Sequence, residues 1–219
     1  MATTLVIGAN GGIGRLFCRQ AAAGGLAVRA MVRNSEQRAW FDEIGIESVA
    51  GDLESDFESN IEGCDRVIFT AGSGAHTGPD KTLMVDLYGA MRAIDAALEY
   101  GIAQFVMVSA FRAEDPRAAP ENLRPYAAAK LAADRLLMCS GLPYTILRPG
   151  RLTDEPASGH IQVPPSGWHD PITVSRENVA LCINEILGER WAINRTINLV
   201  DGDHPIAELP DLIDSDLDY

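Results

Sequence analysis

Thr3-Thr4-Leu5-Val6-Ile7-Gly8-Ala9-Asn10-Gly11-Gly12-Ile13-Gly14-Arg15-Leu16-Phe17 is the stretch that decides the fold. Leu5-Val6-Ile7 is an apolar run too short for a helix and reads as a buried strand. Gly8, Gly11 and Gly14 follow three apart, and Ile13, Leu16, Phe17, Gln20 and Ala21 then give a helical pattern. Strand, glycine turn and helix in that order form the first half of a dinucleotide-binding βαβ unit. Gly8 allows the chain to leave the strand with φ > 0. Gly11 and Gly12 leave room for a pyrophosphate to reach the backbone, Ile13 continues the turn into the helix, and Gly14 lets the helix pack close. The first N–H groups of that helix and its positive end face the phosphates. Asn10 either ties the loop together or donates to the ligand.

Outward from this turn, strands and helices alternate. Leu26–Val32 reads as a second strand, ending at Arg33-Asn34-Ser35. About 20 residues past the glycine turn, an NAD site would carry Asp or Glu for the ribose 2′-hydroxyl. The residue there is Arg33, with Arg38 a helical turn on, and a guanidinium matches the 2′-phosphate of NADP in charge and geometry. An ordinary solvated arginine is the alternative. A helix over Glu36–Ile44 leads to a third strand, Ile46–Ala50, closed by Gly51-Asp52-Leu53. Asp52 either accepts from the adenine amino group or caps the following helix. Arg66–Thr70 is a fourth strand whose end, Ala71-Gly72-Ser73-Gly74, carries little side chain and admits a cofactor closely.

A long helix is expected from Lys81 to Tyr100, ended by Gly101. Val85, Tyr88, Gly89, Ala93, Ile94 and Ala97 form its packing stripe. Phe105–Val108 is the fifth strand and stops at Ser109. Five apolar strands alternating with helices predict an α/β fold: a Rossmann-like, doubly wound parallel sheet with helices on both faces. Ligands in such sheets bind beyond the carboxyl ends of the strands, where 8–14, 33, 51–53, 71–74 and 109 converge.

Composition bounds the rest. The chain has 219 residues, 47% hydrophobic and 22% charged, which suits one α/β domain with a small C-terminal substrate region. No run of 18 apolar residues indicates a membrane span, and no basic and apolar leader precedes the first strand, which points to a cytoplasmic protein. A net charge of −13 argues against nucleic-acid or anionic-membrane partners. Cys18, Cys64, Cys139 and Cys182 form no CxxC pair and read as buried free thiols; the histidines, His76, His160, His169 and His204, give no metal-ligand spacing. Lys81 and Lys130 are the only lysines among 18 basic residues.

Past Ser109 comes Tyr126-Ala127-Ala128-Ala129-Lys130, at the start of a helix continuing through Leu136-Leu137. Tyr126 and Lys130 are four apart and share a face. An ammonium and a nicotinamide cation nearby favour the phenolate, so the phenol can exchange a proton near neutrality. Lys130 can also hold the nicotinamide ribose, and Ser109 can hydrogen-bond a carbonyl oxygen under reduction.

These pieces resemble an atypical short-chain dehydrogenase/reductase of the small NAD(P)-binding, sugar-epimerase-like group. The matching stretches are Gly8–Gly14, Gly51–Leu53, Ala71–Gly74, Val85–Ala90, Phe105–Ser109, Pro125–Lys130 and Tyr144–Gly150 with Leu152–Pro156 after it. The resemblance implies a cofactor site that includes Pro149 and Gly150. Relatives similar to NmrA keep the cofactor site but serve as redox-sensing regulators, usually without the Tyr/Lys pair. The resemblance sets Asp86 at the position of the superfamily's catalytic asparagine, a departure from the family's proton relay.

Tyr144–Arg148 is a sixth strand. Pro143 to Pro171 holds six of 12 prolines and reads as an irregular, mobile substrate lid, or else a surface loop without function. Ser175 caps a helix running through Leu187, and Arg195–Val200 is a last strand. Asp201–Tyr219 carries seven acids and no Lys or Arg, a solvated tail or an arm across the surface. The sequence thus points to an NADP-dependent oxidoreductase, monomer or homodimer, acting on a small carbonyl or sugar-like molecule. The alternative is a non-catalytic NADP-binding regulator working through a protein partner.

Overall fold

The computed structural model describes residues 2–74, 76–165, 167–168 and 172–214. The glycine-turn stretch folds as read: β1 (Thr4–Ile7) is fully buried and passes through the turn into α1 (Gly12–Gly24). β2 (Val28–Val32), α2 (Ser35–Glu43), β3 (Glu47–Ala50) and β4 (Arg66–Phe69) follow. Seven strands run parallel in the order β3-β2-β1-β4-β5-β6-β10, with β5 at Gln104–Val108, β6 at Tyr144–Pro149 and β10 at Arg195–Asp201. The chain moves outward in opposite directions from β1 and β4, so their carboxyl ends form the crevice where ligands bind.

Side chains along each strand alternate between two packed layers. Val6, Ile68 and Val106 pack with Ile13 and Phe17 of α1 and with Val179 and Ile183 of α6 (Arg176–Ile186). Leu5, Ile7, Val67 and Phe69 pack on the other face, against Ala93 and Ile94 of α4 (Ala90–Glu99) and Ala133 and Leu137 of α5 (Arg124–Cys139). The outermost strand departs from the expectation of apolar strands throughout. In β3, Glu47 and Ala50 are exposed and Ser48 and Val49 half-buried, because it pairs on one side only.

The expected regular helix from Lys81 is built in three consecutive pieces. α3 (Pro79–Lys81) leads into a π-helical stretch, Thr82–Gly89, and then α4. Each π turn takes in an extra residue, which changes the facing residues. Tyr88, expected in the packing stripe, is 46% exposed, whereas Asp86 is fully buried.

The C-terminal third also differs. Within the stretch read as irregular lie β7 (Arg151–Thr153) and β8 (His160–Gln162), and just past it β9 (Thr173–Ser175). β8 joins the main sheet antiparallel to β10, and β7 pairs with β9. Three-residue strands among prolines leave no readable period. Residues 166 and 169–171 of that stretch, and 215–219 of the tail, lie outside the described residues. The rest of the tail is an arm on the protein: β11 (His204–Pro205) pairs with β8, and Ile206, Leu209 and Ile213, the last two in α7 (Leu209–Asp214), enter the core. Of the cysteines, Cys18 and Cys182 are buried, Cys64 is half-buried and Cys139 is exposed, so the reading as buried thiols holds for two. Burial pushes the Cys18 thiol up to about 12. Among the described residues no helix is long and apolar enough to cross a membrane.

Candidate active site

The crevice at the carboxyl ends of β1 and β4 opens into two joined halves. Gly8 has φ +89°, and a Cβ there would lie 2.5 Å from the Ala71 nitrogen. A Cβ on Gly14 would lie 2.4 Å from Gly8 O, so α1 can rest on the turn only with glycine at that point. Gly11 and Gly12 are exposed, and the start of α1 has no side-chain cap. Its first N–H groups are therefore free to bind an anion, and the turn fits a dinucleotide pyrophosphate.

The narrower half has a volume of about 370 Å³ and is lined by Gly8, Asn10, Gly11, Arg33, Asp52 and Leu53, with Ala71, Gly72 and Ser73 on its far wall. Asn10 ties the loop: its Oδ1 accepts from Arg15 Nη2 at 2.6 Å and Nε at 2.9 Å. The Arg33 side chain is exposed at the mouth beside Gln37, whose Oε1 accepts from Arg33 N at 2.8 Å. Arg38 is exposed and lines neither half. Asp52 braces its own turn, accepting from Glu54 N at 3.0 Å; the next helical turn, Glu58–Ile61, lies too far along to be capped by it. Lys81, on the same rim, pairs with Glu54 at 2.7 Å.

The wider half, about 740 Å³, shares Gly11, Ala71, Gly72 and Ser73 and adds Gly12, Ile13, Ser109, Tyr126 and Lys130. The fold thus brings the three candidate catalytic residues to one cleft beside the glycine turn. The Lys130 ammonium stands 5.7 Å from the Tyr126 ring centre, donates to Val108 O at 3.2 Å and pairs with Asp86 Oδ1 at 3.4 Å. The other Asp86 oxygen accepts from Ser73 N at 3.0 Å, so the π-helical stretch anchors the β4 loop to Lys130. Burial pushes the Lys130 ammonium down, but Tyr126, Asp86 and Asp134 more than offset it and hold the group above its ordinary value.

Behind Ser109 lies an acid the sequence reading passed over. Asp134 is fully buried on α5, one turn beyond Lys130, and its Oδ2 accepts from Arg148 Nε at 2.9 Å. Ser109 Oγ and Asp134 Oδ1 are both buried without a well-formed partner. They lie near enough that Ser109 still eases the Asp134 charge, together with Arg148. Burial outweighs both and raises the carboxyl above its ordinary range.

Pro149 and Gly150 are not among the residues lining the two halves of the cleft. Pro149 O accepts from Phe111 N, Gly150 N donates to Leu199 O, and a Cβ on Gly150 would lie 2.0 Å from Ile172 O. They hold the junction of β6 with the C-terminal region. Of the stretch read as a lid, Pro143 to Pro171, Leu152 lines the cleft among the described residues. Thr70, Thr82, Asn122 and Arg176 also line it and were not singled out from sequence. Ser175 does cap α6, accepting from Asn178 N at 3.0 Å, but a cap gives no hint that the next side chain reaches a turn at the other end of the sequence.

Sheet order, glycine turn and crevice together define a Rossmann-like NAD(P)-binding protein. A family model described as NAD(P)H-binding matches residues 8–190, and the chain belongs to that family. The uncharacterized sugar epimerase YhfK of Bacillus subtilis (strain 168) is 45% identical over 210 residues, covering 93% of this chain and 96% of that protein. A solved structure from Bacillus halodurans, proposed to be an NAD-dependent epimerase/dehydratase, matches with TM-score 0.93 and 39% identity over 96% of this chain and 99% of that one. The oxidoreductase ylbE from Lactococcus lactis matches with TM-score 0.85 and 25% identity over 99% and 97%.

Proposed function

We propose that the protein is an NADP-dependent oxidoreductase that reduces a small carbonyl or sugar-like compound. The observation that carries the reading is the meeting of Ser109, Tyr126 and Lys130 in one cleft continuous with the glycine turn. When bound, the cofactor supplies a hydride to the carbonyl carbon. Ser109 and the Tyr126 hydroxyl then orient the carbonyl oxygen. As the C=O π pair moves onto that oxygen, the Tyr126 O–H proton passes to it, giving the alcohol and a phenolate. The buried Lys130 ammonium stabilises that phenolate until solvent reprotonates it. Arg33 at the mouth of the narrow half supports NADP over NAD, since it is exposed there and a guanidinium matches a 2′-phosphate in charge and fork geometry.

One observation favours the regulator instead. Lys130 is held by Asp86 and Val108 O, which leaves its ammonium little freedom to serve a ribose. Turnover separates the two readings. A panel of carbonyl compounds and quinones, followed by NADPH absorbance, should give a wild-type rate that falls by roughly 10²–10⁴ in Tyr126→Phe. Cofactor affinity should be unchanged. A wild type inert across the panel while binding NADPH supports the regulator, and an equally active Phe variant removes Tyr126 as the acid.

A further inference from the structure

Arg176 is the first residue of α6, directly after its capping Ser175. Its stem lies over the glycine turn: a Cβ on Gly12 would sit 2.7 Å from Arg176 Cδ and 3.1 Å from its Nε. Its Nη1 donates to Asp154 Oδ1 at 2.6 Å. The Arg176 side chain is 29% exposed and that of Asp154 is 89% exposed. The guanidinium therefore stands beside the start of α1 on the wall of the wider half, held by a carboxylate that is almost wholly in water.

Three considerations point from this arrangement to an anion. A cation beside the positive end of a helix is unfavourable unless a negative group joins the two, and α1 brings no side-chain cap of its own. Lys130 is engaged with the buried Asp86 and Lys81 with Glu54, whose side chain is 33% exposed, whereas Asp154, the partner of Arg176, is 89% exposed. A pair of that kind contributes little, so an anion nearer the helix can take the guanidinium readily. Its forked donors match phosphate oxygens two at a time.

We propose that Arg176 closes over the pyrophosphate of the bound dinucleotide, exchanging Asp154 for phosphate oxygens. The C-terminal region then supplies the second wall of a phosphate site whose first wall is the glycine turn. Asp154 keeps the arginine in place when no nucleotide is bound, and binding releases the segment after β7 from that hold. The proposal rests on the reading that the dinucleotide lies over Gly8–Gly14.

The test is a titration of ADP-ribose, NADH and NADPH, since all three carry the pyrophosphate and only NADPH carries the 2′-phosphate. Arg176→Gln should weaken all three by a similar factor, roughly 10- to 150-fold, as for a lost charge-assisted contact. Arg176→Met keeps the stem over Gly12 and should lose as much, and it decides the matter if the Gln variant fails to fold by circular dichroism. Asp154→Asn should bind all three at least as tightly as wild type. Unchanged ADP-ribose affinity in a folded Arg176 variant overturns the proposal, as does a loss confined to NADPH. A wild type that binds none of the three overturns the cofactor reading itself and the proposal with it.

Discussion

Replacing Asp86 by Asn tests the centre of the site. Asp86 and Lys130 are 3.4 Å apart with side chains 0% and 3% exposed, and the second Asp86 oxygen accepts from Ser73 N. Asparagine has nearly the same shape and keeps an acceptor for Ser73, so what disappears is the charge that offsets burial of the Lys130 ammonium. Removing one member of a buried ion pair costs about 3–5 kcal/mol. Val108 O and the nearby Asp134 remain to Lys130, which puts the loss near the lower end, about 3 kcal/mol. For a chain of 219 residues, where each kcal/mol moves Tm by about 2–4 °C, the melting temperature should fall by roughly 6–12 °C at pH 7. The pH dependence separates charge from shape. Lys130 is held above its ordinary value in the folded wild type. Its contribution is therefore complete below the unfolded lysine pKa of about 10.4 and is lost as pH rises through the folded value. In the variant, burial is less opposed and the proton leaves earlier. The gap between the two proteins should thus be full at neutral pH and narrow as the pH climbs past about 10. Thermal melts by circular dichroism across that range provide the measurement. An unchanged Tm at neutral pH would refute the ion pair, and a gap of constant size would assign the loss to packing.

Arg33→Ala should weaken NADPH by roughly 10- to 150-fold and leave NADH unchanged, measured by fluorescence titration; equal losses for both would remove Arg33 from the 2′-phosphate. Gly14→Ala places a Cβ 2.4 Å from Gly8 O and 2.7 Å from Ala9 Cα, backbone atoms with nowhere to go. It should cost about 1–3 kcal/mol and weaken nucleotide binding along with it, so an unchanged melt would show that α1 can slide on the turn. Ser175→Ala removes the bond from Asn178 N at 3.0 Å and should lower Tm by about 2–4 °C, the equivalent of about 1 kcal/mol. No change there would mean that packing of Val179 and Ile183 on α1 sustains α6 without its cap.

What sequence alone could reveal follows from the range of the forces involved. The glycine turn, the six strands from β1 to β6 and the Ser175 cap are local: each is decided by side chains within a few residues, and each appears where spacing puts it. The pair Tyr126 and Lys130 is local too, since four residues on a helix fix a shared face, and Lys130 Nζ does stand 5.7 Å from the Tyr126 ring centre. Pro149 and Gly150 carry a cofactor role only through the family resemblance; their contacts within the chain are Pro149 O with Phe111 N, Gly150 N with Leu199 O, and Ile172 O close against Gly150. Arg176 could not be found by spacing, because its neighbour Gly12 lies at the other end of the sequence.

Asp86 shows the limit most clearly. Counting at helical spacing from Val85 places Gly89, Ala93, Ile94 and Ala97 inward, where they are buried, but it also turns Tyr88 inward, and Tyr88 is 46% exposed. The helix adopts i→i+5 turns from Thr82 to Gly89 instead, a geometry rarely favoured by itself. A buried carboxylate is tolerated only when it is paired and hydrogen-bonded, and the altered register delivers Asp86 to both the Lys130 ammonium and the Ser73 amide. The unusual helix and the buried charge therefore stabilise each other. Neither is written in the local pattern, because each is favourable only once the other and the facing α5 are in place.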